Sequence, residues 1–137
     1  MINNFMKSFK EYFLENTFAP KESIKITDIG DFVAKVDSGN DGHCVLHGDD
    51  IKINDDEKTV SFTTAHGKRI TRPLIDTTSI NIGGGVEEKR PVINLDFSLK
   101  GKQYKNQRFS IGNRESNDEK VLIGLKFLEP LNATIEC

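Results

Sequence analysis

What this chain lacks narrows its class before any motif is read. Cysteine occurs only twice, as Cys44 and Cys137, too few for a disulfide framework, which fits a reducing compartment. No apolar run approaches the roughly 18 residues needed to span a bilayer, so no membrane partner is expected. An excess of one charge is missing too: 19 Lys and Arg stand against 21 Asp and Glu, a net charge of -2, which gives no reason to expect bulk nucleic-acid binding. Length is short as well, since 137 residues hold one compact core and not two. The H-E-x-x-H pair of a zinc metalloprotease is absent. At the N-terminus Lys7, Lys10, Glu11 and Glu15 break the apolar pattern before a signal-peptide core can form, and a cytoplasmic location is the expectation.

What is present begins with Ile2, Phe5, Met6, Phe9, Tyr12 and Phe13, which recur at three- and four-residue steps as on one face of an amphipathic helix. Its aromatic stripe is read as packing on the domain or on a second subunit. Pro20 and Lys21-Glu22-Ser23 stop that pattern, so residues 1–22 are taken as helix and linker and 23–137 as the domain. From Ser23 onward short alternating runs are separated by Gly, Asn and Asp, the sign of strands and turns. The runs are Ile24 to Thr27, Phe32 to Val36, Cys44 to His47, Ile51 to Ile53, Thr59 to Thr64, Arg69 to Ile75, Ser79 to Ile82, Val92 to Leu99, Gln103 to Ile111 and Val121 to Ile123. Ile93, Leu95, Phe97 and Leu99 share one strand face, and Lys100-Gly101-Lys102 reads as a tight hairpin turn. Only Gly124 to Glu129 reads as a second, short helix, ended by Pro130. The fold class expected is all-β.

Three local patterns have the means for chemistry. In Lys35-Val36-Asp37-Ser38-Gly39 an acid ends a hydrophobic strand and is followed by a small hydroxyl residue and a glycine, which asks for an exposed carboxylate on a tight turn; by itself the tripeptide is also an ordinary turn. In Ile82-Gly83-Gly84-Gly85-Val86 three glycines mark a hairpin tip that flexes or approaches another backbone, and no helix bearing Lys-Ser/Thr follows to make a phosphate loop. In Val121-Leu122-Ile123-Gly124-Leu125 an apolar strand runs into a glycine and a short helix.

In this order the three patterns, with the long hairpin Pro91 to Gly112 between the second and third, resemble the retropepsin-like aspartic peptidases. Within that group the stretches KVDSGNDGHCVLH at 35–47, EEKRPVI at 87–93 and Asn113-Arg114 to Ile123-Gly124 are similar to the bacterial proteins called ATP-dependent zinc proteases, associated with RimK-type glutamate ligases. The resemblance covers Ile24 to Leu128 and implies a closed β-barrel of the acid protease fold, with the N-terminal helix as an addition. It implies a peptidase that needs two carboxylates sharing one proton. The chain holds one D-S-G, so a symmetric homodimer would supply the second Asp37. Ser38 would stand in for the usual Thr and Gly39 would leave room for the facing turn. Gly83, Gly84 and Gly85 would form the flap over a peptide substrate, and Ile123 and Gly124 would support the acid turn from below. No cofactor is implied.

The chain also departs from the retropepsin pattern. Asn40 stands where Ala is usual, Leu125 where Arg is usual, and Asp49 to Pro73 form an excursion expected as a hairpin turning near His66-Gly67. His43, Cys44 and His47 lie close, but two histidines on one strand do not complete a metal site. No metal is assigned, and a hydrogen-bonded or substrate-facing His47 is the stronger reading. Lys68, Arg69, Arg72, Lys89, Arg90 and Arg114 offer positive charge for an acidic or glutamate-rich peptide, with Arg90 and Arg114 the candidates; interspersed Glu87, Glu88 and Glu115 favour a solvated surface for the set. The alternative function is a non-catalytic barrel of this fold that grips an extended peptide by strand addition.

Overall fold

The computed structural model describes residues 17–135; the stripe from Ile2 to Phe13 lies outside them. Twelve strands account for most of the described chain: β1 (Thr17–Phe18), β2 (Lys21–Ile26), β3 (Gly30–Val36), β4 (Cys44–His47), β5 (Asp49–Asn54), β6 (Thr59–Thr63), β7 (Arg69–Pro73), β8 (Asp76–Gly83), β9 (Val86–Leu99), β10 (Lys102–Gly112), β11 (Val121–Ile123) and β12 (Thr134–Ile135). One short helix, α1 (Leu125–Leu128), follows β11, and a 3-10 turn at Glu129–Leu131 follows α1. The all-β expectation is met. Pro130 sits inside the 3-10 turn, where a residue without a backbone N–H is tolerated near the start of a helical turn.

Seven strands form one sheet in the order β10-β4-β11-β3-β2-β9-β8, and a further β9–β10 ladder links β10 at one end back to β9. Strand β9 follows from its alternation. Ile93, Leu95, Phe97 and Leu99 are at most 4% exposed, while Asn94, Asp96 and Ser98 are half-buried on the other face. Lys100 and Gly101 both take positive φ, 53° and 78°, the twist that suits a two-residue hairpin. Phe97 centres the core, with Tyr104, Phe109 and Phe127 rings 5.3, 5.7 and 5.4 Å away. Burying one such ring contributes about 1.5–3 kcal/mol, and Phe127 thereby fastens α1 to the sheet.

Two differences from the sequence reading have physical causes. Strand β2 starts at Lys21, within the stretch read as linker, because Lys21, Glu22 and Ser23 pair through their backbone with Lys35, Ala34 and Val33, which needs no apolar side chain. The excursion is a three-stranded sheet, β5-β6-β7, rather than a single hairpin. Its second turn falls at Ala65–Lys68 as expected, and an additional one at Asp55–Lys58 lets β5 join. Val60, Phe62 and Ile70 point into the core. The contact is so close at Gly48 that a Cβ there would stand 2.5 Å from Ile111 Cγ2 and 2.9 Å from the Phe62 ring. At the far end His66 stacks on Phe32, ring centres 4.4 Å apart, and donates from Nε2 to the Asp31 carbonyl at 2.9 Å.

Candidate active site

The acid turn is built by the strands around it. Strand β11 lies between β3, to which it is parallel, and β4, to which it is antiparallel, so the loop joining β3 to β4 must cross over the end of β11. Asp37 opens that loop. Its N–H donates to the Ile123 carbonyl at 2.9 Å, Leu125 N–H donates to the Asn40 carbonyl at 2.8 Å, and Lys126 N–H donates to the Gly42 carbonyl at 3.1 Å. Gly124 makes these contacts sterically feasible: a Cβ there would meet Gly42 O at 2.5 Å and His43 O at 2.6 Å, distances no side chain tolerates. Within the loop, Gly39 N–H donates to Asp37 Oδ1 at 3.0 Å and Gly42 N–H to Asn40 Oδ1 at 2.9 Å. Asp37 keeps 31% of its side chain exposed, with Lys35 Nζ 4.0 Å from Oδ2, and Ser38 beside it is exposed.

Across a cleft of about 580 Å³ from Gly39–Gly42 lies the β8 segment Thr78–Asn81, with Lys126 in the lining. The β8–β9 hairpin continues past that segment to Gly83, Gly84 and Gly85, whose φ angles of 106°, 62° and 76° lie in the region that favours glycine. Among the described residues, nothing lies within 4 Å of a Cβ at any of the three. Ile82 and Val86 flank the tip at 56% and 54% exposure. Two other hollows, beside the Lys100–Gly101 turn and on the outer face of β5–β7, share no lining residue with this cleft.

Of the basic residues, two come together. Arg90 Nε and Nη2 both donate to Glu88 Oε2 at 2.9 Å, and the Arg90 guanidinium occupies the space a Cβ on Gly112 would need, 2.7 Å away. Arg114 donates from Nε to the Glu119 carbonyl at 3.0 Å. Burial holds the Arg114 guanidinium below its usual pKa and Arg90 pushes the same way, while Glu119 and Asp37 oppose them. Arg69 instead binds Asp50 and Thr63 within the small sheet, and Lys68 ties the same sheet to the Asp28 carbonyl.

A family model described as retropepsin-like aspartic endopeptidase RimB, of the RimB-like family, matches residues 19–136. The chain belongs to the RimB-like family. No curated protein matches it. Among solved structures, a protein of unknown function from Legionella pneumophila subsp. pneumophila str. Philadelphia 1 is 21% identical, with a TM-score of 0.70 over 88% of this chain and 92% of that one; at that identity the likeness shows the fold alone.

In this RimB-like chain Asn40 and Leu125, the two departures at the acid turn, both brace it through their backbone groups. His47 is 3% exposed, with Nε2 at 2.9 Å from Asp49 Oδ2 and Nδ1 accepting the Arg114 N–H at 2.8 Å; both ring nitrogens are committed, so the ring is hydrogen-bonded and does not face a substrate in this chain. Cys44 is fully buried and its thiol is pushed up to about 12 by burial, against a hydrogen bond with the Gly124 backbone, so it is no nucleophile. His43 is held below its usual pKa by burial first, then by Lys126 and Arg108. Lys35 and Lys126 escaped the sequence reading. Lys35 had a signal, since two residues before Asp37 on a strand is the same face; Lys126 had none, because its place depends on the α1 contact with the acid turn.

Proposed function

We propose that this protein is a homodimeric aspartic endopeptidase in which the Asp37 carboxylates of two copies form the catalytic pair. The observation that carries the reading is the Asp37 turn: its amide is tied to Ile123, its loop is tied to Leu125 and Lys126, its carboxylate is oriented by the Gly39 N–H, and the side chain is still partly open to solvent. Among the described residues neither group at that carboxylate, the Gly39 amide or the Lys35 ammonium, is a second carboxyl, which is why a second copy is invoked. The β9–β10 ladder that links the strand order back on itself supports reading the sheet as a closed barrel of the acid protease fold.

In the pair, one carboxylate is ionised and the other protonated, because two close carboxylates share a proton. The ionised one takes a proton from water as the oxygen attacks the scissile carbonyl, and the protonated one gives its proton to the carbonyl oxygen. Collapse of the tetrahedral diol breaks the C–N bond as the nitrogen takes the proton that the first carboxylate received from water, while a diol hydroxyl returns a proton to the second, giving acid and amine products and restoring the pair. The pair titrates as a unit. Ser38 supplies a hydroxyl to the facing turn, and the hairpin ending in Gly83–Gly85 closes over the peptide and excludes water. Arg90 and Arg114, with Lys35, favour acidic or glutamate-rich peptides. The setting is the cytoplasm, where Cys44 stays a thiol; no helix among the described residues is long and apolar enough to cross a membrane.

The test is a peptide library containing acidic members, incubated with the purified chain between about pH 3 and 7, the range in which such pairs titrate, with sedimentation run in parallel. Cleavage by a dimer, abolished by Asp37→Asn with the dimer retained, is the expected result. A wild type that cleaves nothing while Asp37→Asn binds peptide equally well would leave the peptide-binding module as the function.

A further inference from the structure

The buried histidine on β4 has a place in the site that its burial alone does not explain. His47 Nδ1 receives the backbone N–H of Arg114 at 2.8 Å. An acceptor nitrogen carries no proton, so the ring is neutral with its hydrogen on Nε2, donated to Asp49 Oδ2 at 2.9 Å. The same histidine donates its own backbone N–H to the Lys120 carbonyl at 2.8 Å. One residue thus holds both ends of the loop 113–120. Lys120 Nζ closes the loop from inside, donating to the carbonyls of Arg114, Glu115 and Asn117 at 3.1, 3.0 and 2.7 Å.

We propose that His47 is a positioning residue that holds Arg114 and the loop 113–120 in place only while its ring is neutral, so that a proton added at Nδ1 releases Arg114 and makes this loop acid-sensitive. In the imidazolium both nitrogens are donors, and Nδ1–H would then face the Arg114 N–H, turning an attraction into a repulsion between two donors. The charged groups around the ring are Asp49 from β5, Arg114 and Lys120 from the loop, and Arg90 from β9, which covers Gly112, the residue paired with His47 between β10 and β4. The effect on turnover rests on the peptidase reading above; the hydrogen-bond switch does not.

The test is nitrogen-15 NMR of the full chain across acid pH, comparing wild type with His47→Asn, whose amide oxygen sits near the Nδ1 position and does not titrate, and His47→Gln, which offers no acceptor there. In wild type the ring should show the Nε2–H tautomer, and hydrogen exchange at the Arg114 amide should quicken about tenfold or more, beyond ordinary pH dependence, over the interval in which the ring titrates. His47→Asn should abolish that step, and His47→Gln should leave the amide fast at every pH. A ring protonated at Nδ1 in the neutral protein, or an Arg114 amide indifferent to the ring's titration, overturns the proposal, and wild type alone can deliver either result. With a cleavable peptide, the acid limb of kcat/KM should move to lower pH in His47→Asn; an unmoved limb removes the link to turnover. Absence of all cleavage would overturn the peptidase reading and leave the NMR result standing.

Discussion

The acid turn and the β8–β9 hairpin flank the same cleft, and the turn and the hairpin's glycine tip are built on opposite principles. At the turn, loop backbone groups meet the β11–α1 segment through hydrogen bonds of 2.8 to 3.1 Å, and a single added methyl at Gly124 would strike two carbonyl oxygens. At the tip, three consecutive glycines have no described residue within 4 Å of where a side chain would start. Both regions use glycine, for different reasons: at 124 there is no room, and at 83–85 the backbone takes φ values that other residues resist. The difference separates two needs of one site. In the proposed dimeric peptidase, a carboxylate that must meet a partner in register has to be fixed, whereas a cover that admits and releases a peptide has to yield.

The largest expected effect from breaking this contrast is Gly124→Ala. The acid turn must move off α1, costing about 1–3 kcal/mol as in other overpacked cores and misplacing Asp37; a lower urea midpoint and at least about a hundredfold loss in kcat/KM are expected, since misplacement of about 1 Å costs that much. An alanine tolerated at 124 with full activity would show that the turn is not fixed from below. Native-state hydrogen exchange gives the next contrast: the amides of Asp37 and Leu125 should be protected by about a hundredfold or more relative to those of Gly84 and Gly85, which lack buried neighbours, and equal protection would erase the distinction. Gly84→Ala should be milder. Left-handed φ costs an alanine about 1 kcal/mol, confined to the tip, so the global melt should barely move while KM changes by less than about tenfold.

The smallest effect concerns Cys44, at the base of the acid turn. With its thiol raised to about 12 and buried, it should resist iodoacetamide in the native state at about pH 8.5, where a free cysteine of ordinary pKa reacts, and react once the chain is unfolded. The folded form binds the thiol proton more tightly than the unfolded form, so this group's contribution to stability is complete below the unfolded pKa and falls as pH rises toward about 12.

Local patterns carried more of this molecule than distant ones. The alternation from Ile93 to Leu99, the Lys100–Gly101 turn and the Val121–Ile123 strand ending in a glycine were legible because each is decided within a few residues. The start of β2 at Lys21 was hidden, since a polar strand held by backbone pairing has no apolar signature. The docking of the small sheet was hidden as well, because it depends on Gly48 meeting Phe62 and on His66 meeting Phe32. In the candidate site, Asp37, Gly39 and Gly124 were visible as a set. The packing of Arg90 over Gly112 and the electrostatic coupling of Arg114 to Arg90 and Asp37 were not, since they arise only when β9, β10 and the 113–120 loop fold onto β3 and β4. His47 was visible as a residue of interest, but not as the acceptor for an amide 67 positions later.

Strand β9 belongs to two structures at once: Val92 to Leu99 pairs with β10 and partly with β2, while Val86 to Val92 pairs with β8. In the proposed peptidase its projecting half is a ruler for the cover of the cleft. Removing one cross-strand pair would shorten that half by about 3.4 Å but turn every side chain beyond the deletion to the opposite face. Its reach can therefore be reset only in increments of two pairs, about 7 Å, so lengthening or trimming this hairpin should change the size of peptide the cleft accepts in steps rather than gradually.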